Sequence, residues 1–493
     1  MSKKLPIFYS ALLLTGVNLV LRGVGTSFQV YLSSRIGAAG IGLLQLTLSV
    51  GNLASIAGIA GARTATMYLT AEELGKKRTG SVFWVLSGCL LYSILWGGTV
   101  ALGLYAFAPQ IGAGWIGNTQ TVPALRLLAA FLPVTCLCGV MTGFFTAAGR
   151  IGTLAAVEVA EQLCAMVLTL GGLDLWAGSD PGRACQCVVL GSGLGSMVTL
   201  GCLIILRLGQ REPVGPRIPV ARRLIRAAVP LALADILKAG ISTTENLMVP
   251  RRLSLCDTVE NPLAAFGLLS GMVFPVLMFP ACILFGLAEL LIPELARCAA
   301  AGSRGRIDYL VKRSLRLAML YGFFFGGVLY LVARPLCVRL YDNPQAGQVL
   351  QGYALLVPML YCDAITDAMT KGLGQQRACV RYNILTNGLD VALLYLWLPR
   401  YGMAGYFASF LLTHALNFLL SLRRLLKITG LRLPPRLPVL TALATGAAVA
   451  ISRYAPPALV CPAFAGVLLP GLYLMGVISR RDLAWVRGLV TGK

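Results

Sequence analysis

The sequence predicts an all-α integral membrane protein that crosses the bilayer about fourteen times. Three observations predict it. Hydrophobic residues make up 57% of the chain and charged residues only 12%, roughly half the charged share of an average soluble domain. The mean hydropathy of +0.77 is too high for a chain whose surface faces only water. Apolar runs of about 18 or more residues recur from end to end, each long enough to cross ~30 Å of hydrocarbon.

Spans are expected near residues 6–33, 40–69, 81–108, 122–147, 153–177, 184–206, 224–249, 263–288, 311–333, 350–371, 381–399, 402–422, 437–452 and 457–478. The first follows Lys3 and Lys4. It is longer than the apolar core of a signal peptide and ends without a small-residue cleavage site, so it reads as a retained span. The net charge of +23 is explained by orientation. With the N-terminus in the cytoplasm, the tails, the even-numbered connections and their span ends hold 30 of the 42 Lys and Arg, against 8 on the opposite face. That asymmetry is the positive-inside pattern, and it predicts a multi-pass protein of the cell membrane with both termini cytoplasmic. It also predicts attraction to anionic membrane lipids, and argues against nucleic acid as a partner.

Most of the fourteen cysteines fall inside spans. The pair Cys136 and Cys138 in an apolar helix reads as small-residue packing, so no metal site and no disulfide framework are expected. No connection exceeds about twenty residues, which leaves no room for a soluble catalytic domain.

An internal repeat organises the spans. At an offset of 225, Gly42–Leu46 matches Gly267–Gly271, Tyr105 matches Tyr330, Leu132–Val134 matches Val357–Met359, and Gly149 matches Gly374. Upstream the offset becomes 216. Leu21–Gly23 then faces Leu237–Ala239, and Arg35 faces Arg251; an insertion in the 251–262 loop reconciles the registers. Both halves start outward from the cytoplasm, so the repeat is parallel. The expected organisation is a six-helix lobe over 1–215, a second over 216–430, and an appended helix pair with a cytoplasmic tail over 431–493. Two such lobes enclose a cavity that can be gated from either side.

The segment "LVLRGVGTSFQVYLSSRIGAAGIGLLQL" resembles the opening of the multidrug/oligosaccharidyl-lipid/polysaccharide (MOP) exporter superfamily. The stretches "RLIRAAVPLALADILKAGISTTENLMVPRRL" and "GLGQQRACVRYNILTNGLDVALLYLWLPRYGMAGYF" are similar to its polysaccharide transporter branch, the stage V sporulation protein B type, which resembles the MurJ-type flippases. The resemblance covers essentially the whole chain. It implies a V-shaped, two-lobed bundle of the MATE/MurJ kind that moves a lipid-linked sugar by alternating access. No cofactor is implied, and coupling to Na⁺, H⁺ or the membrane potential is possible in such a bundle. A cell-wall polymerase is a candidate partner.

Charges inside the membrane mark the candidate site. Arg22 lies about 24 Å into its helix and Lys238 about 21 Å into its own, at ~1.5 Å per residue. Intramembrane cations are costly and are retained for a partner, and a pyrophosphate head group would be one. Lys238 could instead pair with Asp235 one turn away, and Arg22 could bond helix carbonyls. Arg63 could line the cavity or reach the interface. Arg251 and Arg252 mark the outer mouth, as a meeting point for a departing head group or as anchors. The candidates for ion coupling are Asp235, Glu245, Asp363, Asp367, Asp390, Glu158 and Glu161, which could equally neutralise the cations. His414 is the only histidine.

These readings favour a flippase for an undecaprenyl-pyrophosphate-linked sugar, a peptidoglycan or polysaccharide precursor, with the branch pointing to spore cortex synthesis. A cation-coupled drug exporter is the alternative, disfavoured by cations at mid-depth. An integral-membrane glycosyl- or acyltransferase lacks support, since no metalloenzyme motif and no catalytic residues are found; a scaffold for a synthase is a further alternative.

Overall fold

The structure, a computed structural model, describes residues 5–76, 78–178, 180–209, 215, 220–431, 434, 436–456 and 459–477; some helical side chains within these ranges, that of Arg22 among them, lie outside the description. Among the described residues there are helices and no strands. In chain order they are α1 (Leu5–Ile59), α2 (Ala62–Gly75), α3 (Val82–Gln110), α4 (Val122–Ala147), α5 (Ile151–Gly172), α6 (Pro181–Leu208), α7 (Val220–Leu253) and α8 (Pro262–Gly267). There follow α9 (Phe274–Met278), α10 (Ala281–Ala300), α11 (Arg304–Tyr341), α12 (Pro344–Ala354), α13 (Val357–Gly372), α14 (Gln376–Thr429), α15 (Arg436–Ser452) and α16 (Val460–Leu474).

Length and hydropathy single out seven of these helices as able to span a membrane, or up to nine if two bent pairs each count as one span. The number is lower than fourteen for physical reasons. Helices α1 and α14, at 55 and 54 residues, would each be about 80 Å long if straight, more than twice the hydrocarbon thickness. Each is divided by one glycine with left-handed backbone, Gly37 (φ 68°) and Gly402 (φ 54°), at the boundaries expected from the sequence. The bent pairs, Pro262–Met278 with Ala281–Ala300 (65°) and Pro344–Ala354 with Val357–Gly372 (57°), break beside Pro280 and Pro358. Helices α15 and α16 are short, with 17 and 15 residues, and α7, where the sequence predicts a span over 224–249, is not among those singled out, since charged residues recur along it.

The helix ends carry recurrent caps. Asp180, Asn261 and Asn343 each cap a helix whose next residue is proline, their side-chain oxygens accepting from Gly182, Ala264 and Ala346 N–H at 2.9, 3.0 and 3.0 Å. Proline suits that position because its missing donor would be unpaired anyway. At the opposite ends, the repeat mates Gly149 (φ 73°) and Gly374 (φ 77°) follow α4 and α13.

The chain forms two compact units, Met1–Gly271 with Leu394–Met403, and Met272–Leu393 with Ala404–Lys493. The first unit takes in α7 and α8, which the repeat assigns to the second half, because both pack on α1. The α1–α8 seam is a backbone-to-backbone approach. A Cβ on Gly42 would stand 2.3 Å from the Leu263 carbonyl oxygen, and one on Gly267 would stand 1.9 Å from that of Ala38. The α7 contacts run along much of the helix. Thr243 donates to the Ser49 carbonyl at 3.2 Å, and Asn246 to the Ser49 hydroxyl at 3.0 Å. Near the start of α7, Arg223 bridges Glu72 (2.8 Å) and the buried Glu73 (2.9 Å) on α2.

Breaking that bridge is the first test of the packing. Arg223→Ala leaves Glu73 buried without its cation, and is expected to lower stability by about 2 kcal/mol. A drop in the unfolding midpoint of the purified protein reads it out; an unchanged midpoint would show that the bridge is incidental.

In the second unit, α15 and α16 pack on α11, with Phe464 and Leu468 against Phe324 and Val328. Phe464 fills a notch opened by Gly327, where a Cβ would meet its ring at 2.3 Å. The cysteines behave as small hydrophobes. All fourteen are free, and the Cys136 sulfur sits in the space left by Gly58 and Gly97.

Candidate functional site

Polar groups inside the helices gather in two places, one in each unit. In the first unit, Glu161 on α5 accepts from Ser196 and Thr199 on α6, both at 2.9 Å. Both its oxygens are taken by neutral donors. Glu158, one turn earlier, is half-exposed and lies within electrostatic reach of the exposed Arg63 on α2.

In the second unit a stripe of small polar residues runs along the latter part of α14. Ser409, Thr413, Asn417 and Ser421 recur every fourth residue, so they share one face. Two carboxylates meet that face. Asp390, buried on the earlier part of α14, accepts from the hydroxyls of Ser409 (2.5 Å) and Thr413 (3.1 Å), both on Oδ1. Asp363 on α13 accepts from the Asn417 amide at 3.3 and 3.1 Å. Among the described residues neither has a cationic partner, unlike Asp367, which pairs with Lys371 at 2.6 Å. Acceptors are in excess, since the buried Asn417 Oδ1 and Asp367 Oδ1 have no donor. His414 lies beside this stripe but is a packing residue, stacked on Phe410 with ring centroids 3.9 Å apart.

The expected cationic pair is only half described. Arg22 belongs to α1, and its side chain lies outside the described residues. Lys238 is exposed near the midpoint of α7, and Asp235 is exposed one turn before it. No ion pair joins the two among the described residues. Glu245 is half-buried further along α7. At the expected outer mouth, Arg251 is exposed, while Arg252 is fixed: its guanidinium lies 3.4 Å from the centre of the Tyr395 ring, and its Nε donates to the Tyr395 carbonyl at 3.2 Å. Arg35 pairs with Asp174 beyond the end of α5 and takes a 3.3 Å bond to the Tyr31 hydroxyl.

The sequence reading did not single out the α14 stripe or the Arg223 bridge. The stripe had a signal, the four-residue spacing in an apolar helix. The bridge had none, because Glu72, Glu73 and Arg223 look like ordinary interfacial charges. Among the described residues, no three His, Cys, Asp or Glu side chains converge as a metal centre would require.

No protein-family model matches the chain. In sequence it is similar to stage V sporulation protein B of Bacillus subtilis (strain 168), 19% identical over 406 residues, covering 79% of this chain and 77% of that protein. In structure it is similar to an inward-facing multidrug resistance MATE family transporter of the MOP superfamily, with a TM-score of 0.68, 12% identity, and coverage of 86% of this chain and 100% of the other. The lipid II flippase MurJ in its inward closed conformation matches with a TM-score of 0.71 and 11% identity, over 96% of this chain and 100% of that one. The chain has the MOP transporter fold. The resemblance read from the sequence is thus borne out, and the all-α, multi-pass class with it. A match over 96% of the chain leaves only about 20 residues out, so the MOP fold of the MurJ kind takes in much of the segment after residue 430.

Proposed function

We propose that this chain is an alternating-access flippase that moves an undecaprenyl-pyrophosphate-linked sugar, a peptidoglycan or polysaccharide precursor, across the cell membrane for spore cortex synthesis. The observation that carries the reading is coverage. The similarity to the lipid II flippase extends over 96% of the chain, whereas that to the MATE exporter stops at 86%. The sequence similarity to stage V sporulation protein B supports the sporulation role.

Two features of the chain support an anionic cargo with ion coupling. Lys238 stands exposed near the middle of a helix with no ion-pair partner among the described residues, which suits a ligand that brings its own negative charge. Asp363 and Asp390 accept only from neutral donors, and a buried carboxyl so placed gains from a cation or a proton. Moving the cargo needs no covalent chemistry. A few kcal/mol of preference for the head group, expressed differently in two conformations, is enough. Membrane lipids and a cell-wall polymerase are the proposed partners, and both termini are proposed to be cytoplasmic.

The test is translocation of lipid-linked precursor in cells carrying Arg22→Ala and Lys238→Ala. Each is expected to cut translocation by about tenfold or more, the loss of one strong phosphate contact. Normal translocation in both variants would overturn the cationic site. Binding of the purified protein to lipid II rather than to a lipophilic cationic dye separates this reading from a drug exporter, which the MATE similarity keeps as the alternative.

A further inference from the structure

The second unit carries a basic cavity that the transport reading does not use. It has a volume of about 650 Å³ and is lined by Gly374, Gln375, Arg377, Arg381, Tyr382 and Arg424, among others. It forms where α13 ends, where α14 begins, and where the same α14 reaches its last turns. The left-handed Gly374 lets the chain reverse there. Arg424 is fixed in place, its Nε donating to the Gln375 side-chain oxygen at 3.2 Å. Because that oxygen is engaged, Gln375 does not cap α14 with its side chain, and the helix start stays open toward the cavity.

Three guanidinium groups line the cavity and no carboxylate does. Arg377 and Arg381 are exposed and make no ion pair or hydrogen bond with another side chain among the described residues. The nearby Asp367 is held by Lys371. Three like charges around one space repel one another, and an anion among them would relieve that repulsion. The volume is ample for a phosphate with substituents, and an uncapped helix start adds its own preference for negative charge.

The position distinguishes a lipid from a dissolved anion. The cavity lies at helix ends, and the charge asymmetry of the sequence assigns those ends to the cytoplasmic face, where lipid head groups begin. Arg377, Arg381 and Leu385 follow one another at four-residue intervals and so share one face of α14. Leu385 is 59% exposed and points the same stripe into the apolar zone. A ligand on this face meets two guanidinium groups and then hydrocarbon. We propose that this cavity binds the phosphate head group of an anionic membrane lipid, with an acyl chain lying along Leu385. None of its lining residues is one that the transport reading uses, and the proposal holds whether or not the cargo is a lipid-linked sugar.

The test uses the full-length protein, delipidated in detergent and then given phosphatidylglycerol, phosphatidylcholine or inorganic phosphate, with bound lipid counted by native mass spectrometry. The wild type is expected to retain phosphatidylglycerol in preference to phosphatidylcholine. The double variant Arg377→Gln/Arg381→Gln is expected to lose about tenfold or more of that retention. Arg377→Lys/Arg381→Lys, which keeps the charge but not the fork, is expected to fall between them and guards against a folding defect. Equal retention by wild type and the Gln variant overturns the proposal. So does displacement of the lipid by inorganic phosphate at a similar concentration, which would make the ligand a dissolved anion.

Discussion

Valine in place of Gly267 is expected to force α1 and α8 apart and to abolish transport. The position has no room for any side chain, because even a Cβ would lie 1.9 Å from the Ala38 carbonyl oxygen and 2.6 Å from the Gly42 nitrogen. Both obstacles are backbone, which cannot rotate away as a side chain would. Overpacking of ordinary cores costs about 1–3 kcal/mol, and a clash between two backbones belongs at or above the top of that range. Alanine at 267 should therefore already lower the unfolding midpoint, with valine worse, and Gly42→Val should behave alike. Gly98 in α3 is the control, since nothing lies within 4 Å of its would-be Cβ; Gly98→Ala should be neutral or slightly stabilising. If Gly267→Val matched the wild type in midpoint and in precursor translocation, the seam would be dispensable to fold and function alike.

The second large effect is expected at Asp390. Its carboxylate sits 6% exposed, with both hydroxyl donors on one oxygen. Under the proposed coupling, a cation that binds beside the other oxygen stabilises the protein by mass action, by about 2.7 kcal/mol at a hundred times its dissociation constant. Raising Na⁺ at constant ionic strength should then raise the midpoint of the wild type. Asp390→Asn keeps the shape and the hydroxyl contacts but removes the charge, and should lose that response together with transport. Asp367→Asn, whose native partner is Lys371, should keep the response. A Na⁺-dependent rise of the same size in Asp390→Asn would remove this residue from any coupling role. A wild type indifferent to Na⁺ but responsive to pH would assign the charge to a proton instead.

The fold was legible because the bilayer imposes a length on every crossing, and the apolar runs record that length. Gly37 and Gly402 fall at the expected boundaries for the same reason: two spans in succession need a break, and glycine supplies the left-handed backbone. The bends beside Pro280 and Pro358 were not foreseen, since proline within an apolar run is consistent with a kink or with an unbroken span. At the site, carboxylates stood out because they are rare in a membrane helix. Their partners did not. Asp363 meets Asn417 across 54 positions, a contact that only the packing of α13 against α14 creates. The local pair Asp235 and Lys238, at an ideal sequence spacing, makes no ion pair, because spacing permits a contact and the surroundings decide it.

The seam between α1 and α8 is symmetric in sequence as well as in space. Ala38 and Leu263 are repeat mates at the offset of 225, as are Gly42 and Gly267. The approach of Gly42 to Leu263 and that of Gly267 to Ala38 are therefore one contact seen twice. Two separate copies of a single half, inserted in the same direction and related by a two-fold axis along the membrane normal, would meet in this way, each residue touching its counterpart reciprocally. The seam therefore has the reciprocal pattern of an isologous contact, closed within one chain. The two sides need not be identical: Ala38 and Leu263 differ, while both positions that let the backbones touch are glycine.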